Sequence, residues 1–489
     1  MEKRQKKIAI IGAGIAGLCA GVQARRAGFD VDIYEMAKVP GGLAMSWKRE
    51  DYVFESCIHW LVGSNPESLY YAWWKEVLDI EKLRFIDPEE HSRFETEDGQ
   101  SLVIYRDVDR METELLRQAP EDAEEIRKFA GAIRRFARLD MPPSPELNFE
   151  NAVRMFKMVP HLGELKRWSG MTLKEYSARF KNPLLRKFFG ESSMSELSAI
   201  ALLFSLVWMT KKDGGYPIGG SAPLIGLIVE KFKELGGRIH FGSPVRKILV
   251  ENDRAVGLAL ANGETVRADW VISAADGHAT IYDLLEGRYK DSRIDEIYTN
   301  FQTFPSYFQI SFGIADKLDD LPDYLVRVLK EPIRFDPQTS GNQLAFRVFH
   351  FDPTLAPEGK TSVTCFVPTD NAEYWVKLRA EDKDAYKAQK ARIAEEVLQV
   401  LERRRPGIRT KVEVTDVATP ATVFRYTGNW KGSMEGWLLT PKTGFSPLKS
   451  KLPGLKGFRM IGQWVMPGGG LPSGLITGRS VIREIVKED

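Results

Sequence analysis

The 489-residue sequence holds only three cysteines, Cys19, Cys57 and Cys365, widely spaced and with no CxxC pair. That scarcity excludes a disulfide framework, argues against a zinc site and makes a reducing, cytoplasmic compartment the default. A charge excess is missing too. The 69 basic and 67 acidic residues nearly cancel, so no global field draws the chain to nucleic acid, and an anionic ligand has to be held by local groups. The apolar run LSAIALLFSLVWM at 197–209 falls short of the ~20 residues that span a bilayer; it reads as a buried helix, with a membrane-dipping surface as the alternative. The opening MEKRQKKIAIIGAG imitates a secretory leader, with basic residues before an apolar run. The same residues nevertheless make a full strand, turn and helix with a partner strand in phase, which a leader has no need to encode. No Ser-His-Asp or paired-carboxylate signature is found.

The chain is long enough for two or more domains with a large core. In KIAIIGAGIAGLCAGVQARRAGFDVDIYE, a strand through Ile8–Ile11 leads to Gly12, Gly14 and Gly17 in GxGxxG spacing, and Ile15 and Ala16 open a helix that Gly28 can end. Gly12 permits the tight turn, Gly14 lets backbone approach a pyrophosphate, and Gly17 lets helix and strand pack closely. Glu35 ends the second strand, where a carboxylate can accept hydrogen bonds from both ribose hydroxyls. The helix has no acid in its first turns and carries Arg25 and Arg26 near its end, so its positive pole is left for another group to neutralise. A dinucleotide fits all of these features.

A second glycine-rich helix start stands at residues 468–480, GGGLPSGLITGRS. A strand through Met460 leads past Gly462 into Gly468, Gly469 and Gly470. A helix is then expected from about Pro472, with apolar Leu475, Ile476, Val481, Ile482, Ile485 and Val486 at helical spacing. It too lacks acid at its start, and Arg479 and Arg483 come later.

Just past Glu35, Gly41 and Gly42 form another glycine turn in EMAKVPGGLAMSW. Together with GxGxxG this resembles the flavin-containing amine oxidase and phytoene desaturase superfamily, in which the first βαβ unit is extended to hold the rest of FAD. Three further segments fit the resemblance. YVFESCIHWLVG at 52–63 matches the crossing toward the flavin. The stretch 214–276, with its helix, strands through His240 and Ile248, Asn262-Gly263 hairpin and buried strand WVISAA, matches the second cofactor segment, and Val245 stands where a valine backbone meets adenine. HFDPTLAPEGKTSVTCFVPT at 350–369 is similar to the carotenoid desaturase and isomerase branch.

The resemblance implies an α/β fold: a Rossmann-like FAD-binding domain of glutathione-reductase-type topology, assembled from 1–65, 213–282 and 455–489. An interleaved α+β substrate domain would take 66–212 and 283–454. It further implies that Gly470, Leu471, Ser473 and Gly474 face the flavin, stabilising charge on its reduced ring. One departure is plain: relatives often have arginine after the Gly-Gly pair, and here Leu43 follows Gly42. With no second GxGxxG after a strand, reoxidation by a quinone, oxygen or another diffusible acceptor is expected.

Aromatic segments at 69–74, 188–190, 301–313 and 346–351 fit core or an apolar tunnel. The implied reaction is desaturation or saturation of an apolar polyene, isoprenoid or fatty acyl chain. Redox-neutral double-bond isomerisation, amine oxidation and a non-catalytic prenyl carrier like Rab GDP-dissociation inhibitors are the alternatives. His59 is the one titratable residue expected near the ring. NAVRMFKMVPHLGELKRW at 151–168 mixes basic and bulky apolar residues as interfacial helices do, the basis for peripheral membrane contact; Pro160 and Gly163 interrupt it and favour a solvated helix pair.

Overall fold

A computed structural model describes residues 5–139, 156–190, 194–445 and 448–489. Its first sheet is parallel throughout, with strands in the order Arg238–His240, Asp30–Tyr34, Lys7–Ile11, Trp270–Ser273 and Phe458–Met460. Helices cover one face and the three-stranded antiparallel sheet of Val245–Glu251, Arg254–Leu260 and Thr265–Arg267 packs on the other, so the inner strands are buried on both sides. Ile8, Ile10, Val31, Ile33, Val271 and Ile272 are all fully enclosed.

The helices Ile15–Arg26, Ser221–Glu234 and Gly470–Glu488 pack on this sheet. Glycine governs two of the contacts. A Cβ on Gly21 would lie 2.9 Å from Phe232 Cε2 and 3.0 Å from Ile33 Cδ1, and one on Gly478 would lie 2.9 Å from Ala20 N. The helix 470–488 starts two residues before Pro472, behind Gly469 at φ +55°. Leu475, Ile476, Val481, Ile482 and Ile485 are buried as the spacing predicts, whereas Val486, in the last turn and beyond the sheet, is half exposed.

The second sheet has seven strands in the order Val412–Ala418, Ser306–Ile314, Thr361–Thr369, Ser340–Val348, Tyr324–Arg334, Glu90–Thr96 and Ser101–Tyr105. Neighbours run antiparallel except Tyr324–Arg334 beside Glu90–Thr96. Period-two alternation sorts the side chains. One face presents Phe308, Ile310, Phe312, Phe346 and Cys365 to the helices Ala372–Glu381 and Lys383–Arg404. The registers Gln309–Phe366, Ser311–Thr364, Thr364–Arg347 and Arg347–Tyr324 place a more polar set on the other.

A helical cap built from Val108–Gln118, Ala123–Ala137 and Ala199–Thr210 shares a core of Phe129, Phe136, Tyr176, Phe189 and Leu203. Helix Ala199–Thr210, from the apolar run 197–209, exposes none of its side chains. Of 151–168, residues 151–155 lie outside the described residues. The rest forms short turns and the helix Leu162–Ser169, with Phe156, Val159 and Leu162 exposed.

Between the two sheets the chain crosses at Tyr52–Glu55. Glu55 is buried and accepts from Ser221 N at 2.8 Å, Cys57 N at 2.8 Å and Ile58 N at 2.9 Å, as well as from Ser221 Oγ. A carboxylate at a helix start satisfies free N–H groups there, and here it fixes the path of residues 55–58 against helix Ser221–Glu234.

Candidate active site

A groove runs along the carboxyl ends of four parallel strands, the usual ligand position in an open α/β sheet. Ile11 and Gly12, Tyr34 and Glu35, Ala274 and Ala275, and Ile461 and Gly462 line it where their strands end. Gly12 has φ +95°, and its N–H donates to Tyr34 O at 2.8 Å. The second glycine turn lies directly on the first: Gly41 N donates to Ala13 O at 2.9 Å, and a Cβ on Gly42 would meet Gly14 Cα at 3.3 Å.

Gly14 and Gly17 play different parts. Around a Cβ on Gly14 the nearest atom is Gly41 O at 3.9 Å, so its place is open space in the groove. A Cβ on Gly17 would overlap Gly12 O and press on Ala274 at 3.2 Å; Gly17 packs turn against helix and does not line the groove. Ile15 and Ala16 line it at the helix N-terminus, which carries no side-chain cap and no acid. Glu35 accepts from Ala13 N at 2.7 Å and Ala37 N at 2.8 Å, and the carboxylate is thereby aimed into the groove. Tyr34, Pro244 and Val245 complete this end, with Tyr34 stacked on His240 at 4.7 Å.

At the other end the groove is lined by Gly41, Gly42, Leu43, Gly462, Gly470, Leu471, Ser473 and Gly474. The first turn of helix 470–488 has no acid, and Ser473 Oγ donates back to Gly470 O at 2.8 Å. Gly474 has a packing part as well, since its Cβ would lie 2.7 Å from Ile15 Cγ2. No Lys or Arg lines the groove among the described residues. The charge lost at Leu43 is therefore not restored there, and a pyrophosphate would be neutralised by backbone N–H groups and two helix N-termini.

The open Cβ position at Gly14, the uncapped helix start and the aimed carboxylate fit a dinucleotide. The sequence signature of the flavin containing amine oxidoreductases matches residues 15–486. The chain belongs to that family. Its cofactor is FAD, and this flavin-containing amine oxidoreductase is an FAD-dependent oxidoreductase or isomerase of the amine oxidase superfamily. A chloroplastic prolycopene isomerase of Daucus carota is 25% identical over 96% of this chain and 78% of its own. A lycopene-forming phytoene desaturase of Paracoccus is 23% identical over 99% and 98%. Among solved structures, an oxidoreductase from Methanosarcina mazei superposes with TM-score 0.63 at 17% identity over 98% of this chain and 100% of its own. A putrescine oxidase variant does so with 0.64 at 14% identity over 99% of each; these two establish likeness of fold.

Three groove residues of this flavin-containing amine oxidoreductase escape a reading of the sequence. Cys57 and Glu435 line the groove, Glu435 beside Gly469, and burial alone pushes the Glu435 carboxyl up to about 7. Asp276, also in the groove, is raised to about 6 by burial while accepting from Ala279 N and Trp430 N, each at 2.8 Å. Cys57 and Asp276 lie inside the segments 52–63 and 214–276 that carry the resemblance, where no spacing marks them, and Glu435 lies outside every such segment.

His59 does not line the groove. Its ring lies 5.7 Å from Phe366, 6.1 Å from Trp60 and 6.4 Å from Tyr324. Burial, and then the charges of Arg347 and His91, pull its imidazole down to about 3, so it is neutral at physiological pH. His91 is drawn to about 3 by burial and by Arg106 and Arg347. Both histidines keep part of their surface exposed, although burial is the leading cause that holds them neutral.

Proposed function

We propose that this flavoenzyme oxidises or reduces a C–C/C=C unit in a long apolar chain, a polyene, isoprenoid or fatty acyl compound. The observation that carries the reading is the partly open aromatic and apolar wall that follows the groove beyond Cys57. Trp60, Phe188, Leu202, Phe204 and Tyr324 pack on the cap core while keeping part of their surface open, and the neutral His59 and His91 lie against Trp60 and Tyr324 of the same wall. An apolar chain bound there is desolvated along its length. The curated relatives, desaturases and isomerases of carotenoids by name, support the same substrate class.

Bound FAD supplies a two-electron acceptor and donor for hydride. The protein's share is placement and proton handling. Gly12–Ala16 and Glu35 hold the nucleotide, Gly470–Gly474 face the flavin end, and the aromatic walls orient the chain and exclude water. Glu435, ionising near neutral pH, takes the proton released from the carbon next to the one that loses hydride, or returns it in the reverse direction. A diffusible acceptor such as a quinone or oxygen closes the cycle.

The exposed Phe156, Val159 and Leu162, beside Lys157, Lys166 and Arg167, support a peripheral contact with a lipid surface from which such a substrate would enter. No described helix is long and apolar enough to cross a membrane. Anaerobic incubation with a panel of polyenes, isoprenoids, fatty acyl compounds and amines is the test. Bleaching by an apolar chain supports the reading, and bleaching by amines alone overturns it. The likeness to a prolycopene isomerase over 96% of this chain favours isomerisation as a second reading, marked by product formed without an added acceptor.

A further inference from the structure

We infer that the substrate space contains a built anion subsite centred on Arg347, so that the apolar chain turned over here ends in a carboxylate. This rests on the reading above and narrows its substrate class to apolar acids.

Arg347 is 8% exposed and lies on the polar face of the seven-stranded sheet, paired in register with Tyr324 and Thr364. Its Nη2 donates to His59 O at 3.3 Å, its Nε has no partner, and no carboxylate pairs with it among the described residues. The rings of Tyr324 and Phe349 flank it at 5.4 and 5.7 Å. Of the two carboxylates that act on it, Asp323 stands 2.9 Å from His350 Nε2 and Glu55 is taken up by Ser221, Cys57 and Ile58. The neighbouring Thr364 hydroxyl is buried and also unpartnered.

A second buried guanidinium adds to the field. Arg106 is 8% exposed, donates to Gly214 O at 2.9 Å, stands 3.6 Å from Asp87 and has an unpartnered Nε. After burial, the charge of Arg347 is the leading cause that lowers Arg106, to about 10. Two buried cations thus act on each other and on two neutral histidines, with Asp87 beside Arg106 and Asp323 acting on both. An uncompensated buried charge is costly to a folded protein. A wall meant for hydrocarbon alone has no use for it, while a guanidinium with free N–H groups is suited to hold a carboxylate in a planar, two-bond geometry. Asp87 stands beside Arg106, Asp323 beside His350, and Glu55 is hydrogen-bonded by Ser221, Cys57 and Ile58, so among the described residues Arg347 has no carboxylate of its own and a monoanionic carboxylate supplies one.

The test titrates the FAD-loaded protein with oleate and with methyl oleate, following flavin absorbance and tryptophan fluorescence. Oleate is expected to bind at least about tenfold more tightly than its ester. Arg347→Met should abolish that preference while leaving the melting temperature of the unliganded protein unchanged or raised, because it removes a charge with no partner. Arg347→Lys should retain part of the preference. Equal affinity for acid and ester, including no binding of either, overturns the subsite; so does a fall in melting temperature with the preference intact, which would make Arg347 structural. Flavin bleaching by neutral polyenes with no acid preference would remove the subsite and leave the general reaction standing. Acid preference without bleaching by any apolar compound would do the reverse.

Discussion

Ile15 and Gly474 touch at the N-terminal turns of two helices far apart in sequence: a Cβ on Gly474 would lie 2.7 Å from Ile15 Cγ2 and 3.0 Å from Ala16 N. The two positive helix poles are therefore held side by side by the absence of a side chain. Gly474→Val should push them apart, costing roughly 1–3 kcal/mol by overpacking and weakening FAD at the same time. Thermal melts of the apoprotein alongside FAD titration check this; a loss of stability with FAD affinity unchanged would show that the helix spacing does not matter to the cofactor.

Gly14 and Gly17 separate binding from folding. Gly14→Val fills open groove space at an ordinary backbone conformation, φ −72°, so the protein should fold near its normal stability and emerge colourless. Gly17→Ala drives a methyl into Gly12 O and should lower the stability of the apoprotein itself. Equal destabilisation by both substitutions would contradict this division.

Glu435 sets a pH dependence with a definite sign. Its carboxyl is raised from 4.5 to about 7 in the folded protein, so between those values the native state holds a proton that the unfolded chain has lost. Stability should fall as pH rises through that window, by at most about 3 kcal/mol, and Glu435→Gln should remove the slope. If the carboxylate accepts the substrate proton, single-turnover oxidation should rise with pH through about 7 in the parent and be slow and flat in the Gln variant. Denaturant melts and stopped-flow flavin reduction across pH 5 to 9 read both.

His59→Gln should give the opposite pattern. An imidazole held at about 3 has no step between pH 5 and 8 to lose, so the pH profile should be unchanged and the single-turnover rate should move far less than the 10²–10⁴-fold of general acid–base catalysis. A lost inflection near 6.5 would restore His59 as a proton carrier.

The glycine turns were legible because each glycine answers a local demand: Gly12 needs its positive φ and Gly17 its missing Cβ, and both demands are met by residues nearby in sequence or in the adjacent strand. Glu35 was readable for the same reason, lying at the end of a strand whose phase the sequence shows. Arg347 and Thr364 were not. Their shared wall exists only through the register of three antiparallel strands, which no short stretch of sequence encodes. The strand leading from the glycine turn points to His59, whereas the chain lines the groove at Cys57 and two residues later His59 packs against Trp60, Tyr324 and Phe366. Glu435 sits on a loop, where neither helical nor strand periodicity marks which side chain turns inward.

The parallel sheet has a bearing on how the holoenzyme is made. Strand Lys7–Ile11 needs Trp270–Ser273 at its edge, that strand needs Phe458–Met460, and helix Ile15–Arg26 rests on Gly474 and Gly478. A ribosome that has translated the first nucleotide-binding turn must still add more than four hundred residues before the groove has its second wall. Cofactor capture consequently waits for helix Gly470–Glu488, and until it arrives the nascent βαβ unit stays unlocked.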